Sequence, residues 1–268
     1  MEKTQTILIK GAGEKASAVA HGLFSDGYKR IIMTDIAHPL AERRCVCFCE
    51  AAIEQRKEIK GVICEKAEPS VDSVNALLSK AIIPLLIIPN DDLIHRIRPD
   101  IIIDGVLAKK NTGTSIDQAP LVIALGPGFK AGKDVHYAIE TNPNIPDLGK
   151  VIEDGYAEEH TGIPTEVLGK SLERLLTSPG TGTLYGIRDI GNSVKKGGII
   201  GYVGERKLIS PISGVIWGLI RTPASVKEGQ KLGDIHPGND RAVCFEITPQ
   251  AKTIVRGVIE AISRKYPE

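Results

Sequence analysis

At 268 residues, the chain is long enough for one large domain or two modest ones. Its 34 basic and 33 acidic residues nearly cancel, which excludes a strong overall field for nucleic acid or for an acidic membrane. It lacks both an apolar run of the roughly 18 residues that a bilayer span needs and the apolar core of a signal peptide. Five cysteines, an odd number, suit a reducing compartment. We therefore expect a cytoplasmic protein without a nucleic-acid or membrane partner.

The first stretch, from Thr6 to Leu23, has the order strand, glycine turn, helix. Gly11 and Gly13 follow three apolar residues, and Ala16 completes the pattern G-x-G-x-x-A. In such a unit the second glycine lets backbone approach a phosphate, and the helix amino terminus supplies N–H groups. We predict that these three small residues bind a nucleotide-like ligand. The alternative is that the glycines only allow a helix to pack tightly on a strand.

Charged residues follow the second predicted strand, at 30–34. Asp35 comes close to the roughly 20-residue offset at which a carboxylate meets a ribose hydroxyl in dinucleotide-binding units. Arg43 and Arg44 have the fork geometry that clamps a phosphate bidentately. We predict all three as cofactor-binding, with a charged start of a strand as the alternative for one arginine.

Three cysteines, Cys45, Cys47 and Cys49, alternate with apolar residues. On a strand they would share a face, but the outer two would lie roughly 13 Å apart. Thiolates that bind one zinc ion at about 2.3 Å cannot be so distant. We therefore predict no metal site, and interpret the cysteines as small buried residues of a strand. The alternative is a sulfur or selenium relay from a single exposed cysteine.

Further along, short apolar runs alternate with a helical pattern, which is typical of βαβ units and a mainly parallel sheet. Strands are predicted within 61–67, 83–89, 98–105 and 119–128, and a helix within 70–81. Open sheets of this kind collect ligands at the carboxyl ends of their strands.

A polar cluster follows the strand that ends at Asp104. Lys109 and Lys110 belong to it, together with Asn111, Thr112 and Thr114. We predict Asp104 and the two lysines at a ligand-facing edge, although lysine pairs are usually solvated.

A second glycine turn, Gly126 to Gly128, follows the next strand. It is not a P-loop, because the spacing to the Gly132-Lys133 pair is one residue too long and Asp134 replaces the magnesium-binding hydroxyl. Such a turn still presents N–H groups to an anion. We predict Gly126, Gly128 and Lys133 as cofactor-binding, with a solvated turn as the alternative.

The carboxyl-terminal part contains an internal repeat. Val194 and Val226 each begin a V-K-x-G turn that leads into an apolar strand, which resembles the barrel-sandwich hybrid of biotinyl and lipoyl domains. The chain closes with a predicted helix capped by Thr248 and begun by Pro249. We therefore predict an α/β chain: a Rossmann-like parallel-sheet domain at 1–165, then a smaller β-rich barrel-sandwich-like domain with a C-terminal helix at 166–268.

Four segments together resemble the YqeB-type accessory proteins of selenium-dependent molybdenum hydroxylases. They are 9–23, 35–44, 104–141 and 231–238, of which 104–141 is the most specific. The resemblance implies a role in maturation of hydroxylases such as xanthine dehydrogenase, and help in placing a labile selenium ligand. It also implies a Rossmann domain related to XdhC-type chaperones, which bind molybdenum cofactor and protect or sulfurate it. Unlike XdhC-type chains, this one places that unit first, and its three clustered cysteines lie outside the family pattern.

The resemblance suggests what the glycine turn holds. Molybdenum cofactor, which is molybdopterin with or without a nucleotide extension, carries a phosphate that such a turn can bind. The implied partners are an apo molybdenum hydroxylase of the xanthine dehydrogenase kind and a selenium donor, and a homo-oligomer is compatible with the sequence. Whether any reaction is catalysed is left open.

Two other functions remain open at this point. One is an NAD(P)-dependent oxidoreductase that uses Gly11, Gly13 and Asp35, which is disfavoured because no Tyr-x-x-x-Lys pair or other obvious proton donor accompanies them. The other is a non-enzymatic adaptor whose glycine turn is empty and whose barrel-like domain docks a partner.

Overall fold

The computed structural model describes residues 3–87, 91–159 and 161–267. Its contacts divide the chain into two units. Unit 1 comprises Met1–Pro39, Cys47–Thr161 and Ile247–Glu268, and unit 2 comprises Leu40–Val46 and Gly162–Glu246. The chain therefore crosses between the units four times, after residues 39, 46, 161 and 246, whereas the sequence predicted one boundary between 165 and 166.

Unit 1 is built on one mixed sheet. Its strands are β1 Ile7–Lys10, β2 Ile31–Asp35, β3 Arg56–Ile59, β4 Val62–Lys66, β5 Ile83–Ile87, β6 Ile101–Asp104, β7 Leu121–Leu125, β8 Tyr137–Ile139 and β9 Val151–Ile152. They lie in the order β3-β4-β5-β2-β1-β6-β7-β8-β9. The strands from β4 to β8 in this order pair in parallel, and β3 and β9 pair antiparallel at the two edges. The central strands are buried apolar runs, as expected where both faces of a sheet are covered.

The helices of unit 1 are α1 Glu14–Ser25, α2 Ala51–Glu54, α3 Val71–Leu78, α4 Asp91–Ile97 and α5 Pro249–Lys265. The predicted cap of α5 is confirmed, because Thr248 Oγ1 accepts a hydrogen bond from the N–H of Ala251 at 3.2 Å and Pro249 is the first helical residue. The apolar face of α5 is buried and packs on α1 and on the sheet. Within the described ranges, no helix has the length and apolar character that crossing a membrane would require.

Unit 2 contains two antiparallel sheets. Its strands are β10 Leu175–Thr177, β11 Gly182–Gly186, β12 Ser193–Val194, β13 Ile199–Val203, β14 Arg206–Ile209, β15 Gly214–Leu219, β16 Ala224–Val226 and β17 Lys231–His236. One sheet has the order β10-β17-β15-β12 and the other β14-β13-β11-β16. The predicted repeat is confirmed at the level of its turns, since a strand ends at Val194 and at Val226 and the next begins five residues later. β12 and β17 lie in one sheet and β13 and β16 in the other, so each copy of the repeat contributes one strand to each sheet.

The predicted fold, a Rossmann-like parallel-sheet domain followed by a barrel-sandwich-like domain with a C-terminal helix, is wrong. Unit 1 has a mixed sheet, unit 2 has two separate four-stranded antiparallel sheets, and α5 belongs to unit 1. The antiparallel edge at β3 arises because Lys60 and Gly61 both have positive φ, the backbone of a tight hairpin turn that reverses the chain. The connection from β6 to β7 has only a 3₁₀ helix, Ile116–Gln118, where a βαβ unit would have an α-helix.

The interpretation of the clustered cysteines as strand residues is also wrong. Cys45 lies in the 3₁₀ helix Arg44–Val46, Cys49 lies in the 3₁₀ helix Phe48–Glu50, and Cys47 stands between them. Alternation of apolar and small residues predicted a strand, but in a short segment tertiary packing overrides such a pattern.

A close approach between α5 and the segment before β9 yields a stability prediction. A Cβ atom at Gly257 would lie 2.0 Å from the carbonyl oxygen of Gly149. Helix propensity alone would make Gly257→Ala stabilising by about 1 kcal/mol, but overpacking against backbone costs roughly 1–3 kcal/mol. We expect a net loss of stability, measured by thermal denaturation. Arg256→Ala, at the exposed neighbouring position, is the control, and an unchanged or higher Tm for Gly257→Ala would contradict the packing.

Candidate functional site

Seven parallel strands of unit 1 end at one edge of its sheet, and five adjacent ones surround the glycine turns. β2, β1, β6, β7 and β8 are neighbours in that order and run in the same direction. The polar and glycine residues at their carboxyl ends therefore share this edge, which we call the carboxyl edge; they are Asp35, Gly11, Asp104, Gly126 and Glu140. This is where sheets with parallel strands bind ligands.

The first glycine turn lies between β1 and α1. Gly11 has φ +84°, a conformation that favours glycine, and its N–H donates to the carbonyl of Thr34 at 2.8 Å. The next N–H, of Ala12, donates to Asp35 Oδ2 at 2.8 Å. The turn is thus tied to the end of β2 by two hydrogen bonds, which fix its backbone.

Gly13 differs from Gly11. It is the residue before α1, its φ of −69° and ψ of −174° suit any residue, and it makes no side-chain cap. A Cβ atom there would meet nothing within 4 Å. Neither backbone geometry nor packing therefore requires glycine at this position, and the amino terminus of α1 is open on this side.

Asp35 supports the glycine turn. Its second oxygen, Oδ1, accepts the N–H of Ile36 at 2.7 Å. Burial raises the pKa of the Asp35 carboxyl, and the hydrogen bonds from Ile36 and Ala12 oppose that rise. Asp35, which the sequence predicts to contact a ribose, therefore lies at the glycine turn as expected. Its hydrogen bond from Ala12 also stabilises that turn.

Two exposed apolar side chains flank the turn. Ile36 follows β2 and Val106 follows β6, the two strands on either side of β1. They are 52% and 48% exposed.

Ala16, the third small residue of the pattern, is fully buried. A Cβ atom on Gly105 would lie 2.9 Å from the Cβ of Ala16 and 3.3 Å from the carbonyl oxygen of Lys10. Ala16 is therefore small because α1 packs closely on the end of β6. This is the helix-packing role of the pattern rather than direct contact with a ligand.

Asp104 anchors the loop that follows β6. It is 1% exposed, and its Oδ2 accepts a hydrogen bond from Thr114 Oγ1 at 2.6 Å. The Lys10 ammonium donates to Thr114 Oγ1 at 2.7 Å and to Gln118 Oε1 at 2.8 Å. A chain of hydrogen bonds thus holds a lysine next to the glycine turn. Sequence reasoning missed Lys10, whose signal was a cation directly before Gly11 at the end of an apolar strand.

The second glycine turn packs against this loop. A Cβ atom on Gly128 would lie 2.6 Å from Lys110 Cα and 2.9 Å from the carbonyl carbon of Lys109. A Cβ atom on Gly126 would lie 2.5 Å from Thr141 Oγ1. Close packing thus accounts for both glycines without a ligand. The side chains of Lys109 and Lys110 are exposed.

Lys133 lies on an exposed turn between β7 and β8. That turn is closed by the N–H of Lys130, which donates to Asp134 Oδ2 at 2.8 Å, and by the N–H of Lys133, which donates to the Lys130 carbonyl at 3.2 Å. Asp134 stands where a P-loop has its magnesium-binding hydroxyl, and here its carboxylate closes this turn.

Arg43 and Arg44 belong to unit 2. The Arg43 guanidinium lies 4.1 Å from the ring centre of Trp217 and donates to the carbonyls of Val243 and Glu246. Arg44 donates to the Leu219 carbonyl at 2.8 Å and pairs with Asp189. Both predicted phosphate clamps thus bond within unit 2.

Two further buried polar residues at the carboxyl edge were missed by sequence reasoning. Ser17 Oγ donates to the carbonyl of Ala12 at 2.8 Å and accepts the N–H of Phe48 at 2.7 Å, so it joins the glycine turn to a 3₁₀ helix. The Glu140 carboxylate accepts three backbone N–H groups, from Thr141, Asn142 and Glu158, at 2.7–2.8 Å. The sequence signal for Ser17 was a serine within an apolar helix, and the signal for Glu140 was a polar run after a buried strand.

Across the described residues, no group of three or more His, Cys, Asp or Glu side chains could hold a metal ion.

Comparison with known proteins bears on the predicted resemblance. The chain is similar to the uncharacterized protein YqeB of Escherichia coli strain K12, with 36% identity over 258 residues that make up 96% of this chain and 47% of that protein. The resemblance to YqeB is confirmed. The chain spans about half the length of the curated relative it matches. This similarity establishes neither an activity nor a relation to XdhC-type chaperones.

No family model matches the chain. Among solved structures, a succinylglutamate desuccinylase/aspartoacylase from Rhodobacter sphaeroides aligns with 87% of this chain and 85% of its own, at 14% identity and a TM-score of 0.28. That score is too low to support a common fold or a common activity.

The contrast between the two glycines of the turn predicts different costs of substitution. Gly11→Ala places a side chain at positive φ, with its Cβ 3.1 Å from the backbone of Gly105 and Val106, and we expect it to cost roughly 1–3 kcal/mol. Gly13→Ala introduces neither strain nor a clash but replaces a favoured N-cap residue, and we expect a smaller cost of about 0.5–1 kcal/mol. Urea denaturation of both variants measures the difference. Equal costs would show that the turn is described incorrectly.

Asp35 predicts a pH dependence of stability. Because its pKa is raised in the folded state, the native protein holds this proton more tightly than the unfolded chain. Stability therefore falls as pH rises from the ordinary pKa of aspartate through the raised value. We expect Asp35→Asn to flatten that fall in denaturation curves recorded across the acidic range. A carboxyl titration of Asp35 by NMR at or below the ordinary value would contradict this expectation.

Proposed function

We propose that the chain is an accessory factor in the maturation of selenium-dependent molybdenum hydroxylases. In this role it binds molybdenum cofactor, or its nucleotide-extended form, at the first glycine turn. The segments that resemble YqeB-type accessory proteins support the proposal, and the similarity to YqeB supports that resemblance. The relation to XdhC-type chaperones stays a prediction.

The observation that carries the binding proposal is Gly13. Ser, Asp and Asn would cap α1 better than glycine through a side-chain hydrogen bond, and the fold does not require glycine here. A residue without a side chain is useful if a ligand must approach the amino terminus of α1 closely. A phosphate is the group that such a terminus binds.

The surroundings of Gly13 suit a cofactor that combines a phosphate with a flat heterocycle. Lys10 places an ammonium group at the end of β1, held by Thr114 and Gln118. Ile36 and Val106 offer apolar surface on both sides of the turn. A pterin that carries a phosphate has both the anionic group and the flat heterocycle that these surroundings suit.

The proposed partners are an apo molybdenum hydroxylase, which receives the cofactor, and a selenium donor. No residue is assigned to selenium transfer. An NAD(P)-dependent oxidoreductase is the competing function, and it predicts that a nicotinamide dinucleotide, rather than a pterin, binds at Gly13.

The test of this proposal is a graded series at Gly13. Gly13→Ala and Gly13→Val should fold normally, because the Cβ meets open space, yet they should weaken binding of nucleotide-extended molybdopterin progressively. We expect at least about a tenfold loss for valine, equivalent to about 1.4 kcal/mol, in calorimetric titration. Circular dichroism and Tm control for folding.

NADH and NADPH titrations form the second arm of this experiment. Binding of a dinucleotide but not of the pterin would replace the proposal with the oxidoreductase function. In cells, Gly13→Val should lower selenium-dependent hydroxylase activity at an equal amount of hydroxylase polypeptide. Full activity in a deletion strain supplied with selenium would remove the maturation role altogether.

A further inference from the structure

Two cysteines of unit 2 lie in 3₁₀ helices that contact each other. Cys45 is the central residue of the helix Arg44–Val46, and Cys244 is the fourth residue of the helix Arg241–Phe245. Cα atoms of the two helices approach to within 8 Å, which brings the two cysteines into neighbouring turns; a disulfide between them requires their own Cα atoms to come about 4.4–6.8 Å apart. The two cysteines are 199 positions apart in the sequence, so no sequence motif joins them.

Hydrogen bonds hold these two segments together. Arg43 Nη2 donates to the carbonyls of Val243 at 3.3 Å and of Glu246 at 3.0 Å, on either side of Cys244. Trp217 Nε1 donates to the same Val243 carbonyl at 3.0 Å. The backbone next to Cys244 is thus fixed to a side chain two residues before Cys45, which limits the motion that would separate the thiols.

The two thiols differ in access. Cys45 is partly exposed, whereas Cys244 is buried and lies 3.5 Å from the carbonyl of Ile216. Burial raises the pKa of the Cys244 thiol; the neighbouring Cys45 adds to the rise, and Arg43 opposes it. An oxidant from solution therefore meets Cys45 first, and Cys244 reacts only with what is already bound there.

We propose that Cys45 and Cys244 are an oxidation site, at which a small-molecule disulfide such as oxidised glutathione converts the two thiols into an intramolecular disulfide. This modification site is independent of the proposed cofactor function.

The reaction proceeds in two exchange steps. The Cys45 thiolate attacks one sulfur of oxidised glutathione, whose S–S bond breaks and releases one glutathione thiolate. The Cys244 thiolate then attacks the Cys45 sulfur of the mixed disulfide and releases the second glutathione. The protein loses two protons and two electrons, and both pass to the two glutathione molecules formed.

The experiment is oxidation of the full folded chain with oxidised glutathione, followed by acid quenching, alkylation and peptide mass mapping. We expect the protein to lose the mass of two hydrogen atoms and to yield one cross-linked peptide pair that contains Cys45 and Cys244. The second step should quicken as pH rises, because it needs the Cys244 thiolate. Dithiothreitol should restore the original mass.

Single variants separate the two steps. Cys244→Ser should stop at the mixed disulfide and retain one glutathione on Cys45. Cys45→Ser should not react under folded conditions, because the other described cysteines are buried. Cys64→Ser, at a buried cysteine of unit 1, is the matched control and should oxidise as the unchanged chain does.

Three results would overturn the proposal. They are a folded chain that keeps its mass under oxidation, a cross-link that involves Cys47, Cys49 or Cys64, and retention of glutathione on Cys45 in the unchanged chain without ring closure. If a serine variant unfolds, cross-link mapping of the unchanged chain still decides the outcome.

Discussion

The parallel pairing of β1 with β2 on one side and β6 on the other is the constraint on which the candidate site depends. Because all three strands run in the same direction, their carboxyl ends meet at one edge. The glycine turn after β1 can therefore be tied to the end of β2 by Thr34 and Asp35, and can lie against Gly105 at the end of β6. An antiparallel partner on either side would have placed these groups at opposite ends of the sheet.

Buried polar groups at this edge act mainly on backbone. Asp35, Asp104 and Glu140 each accept hydrogen bonds from N–H groups of the turns that follow the strands. Unpaired backbone N–H groups in such turns would be costly to bury, so the carboxylates satisfy them and fix the loops at the same time. Asp35 therefore has a structural role in the glycine turn, to which the proposed binding role would be added.

Sequence reasoning worked where the signal was local. The strand-turn-helix order around Gly11, the carboxylate at the end of β2 and the capped helix α5 each depend on residues within a few positions of one another. It failed where distant residues decide the structure. The position of Arg43 depends on Trp217, Val243 and Glu246, and α5 joins unit 1 through packing on α1, which no periodicity within α5 specifies. The hairpin at Lys60 and Gly61 does have a local signal, since a lysine-glycine pair between two short strands suits such a turn.

The glycines of the chain separate into those that the fold explains and those that it does not. Gly128 and Gly257 have no room for a Cβ atom, because backbone lies in its place, and Gly11 is required by its positive φ. In the sequence these glycines look alike. A G-x-G pattern therefore does not distinguish a glycine that close packing requires from one that leaves room for a ligand to approach the backbone. Gly13 falls outside both structural explanations, since its backbone is ordinary and its surroundings are open. Glycine is one of several residues that suit the N-cap of α1, and the approach of a phosphate proposed above is what would favour a residue without a side chain there.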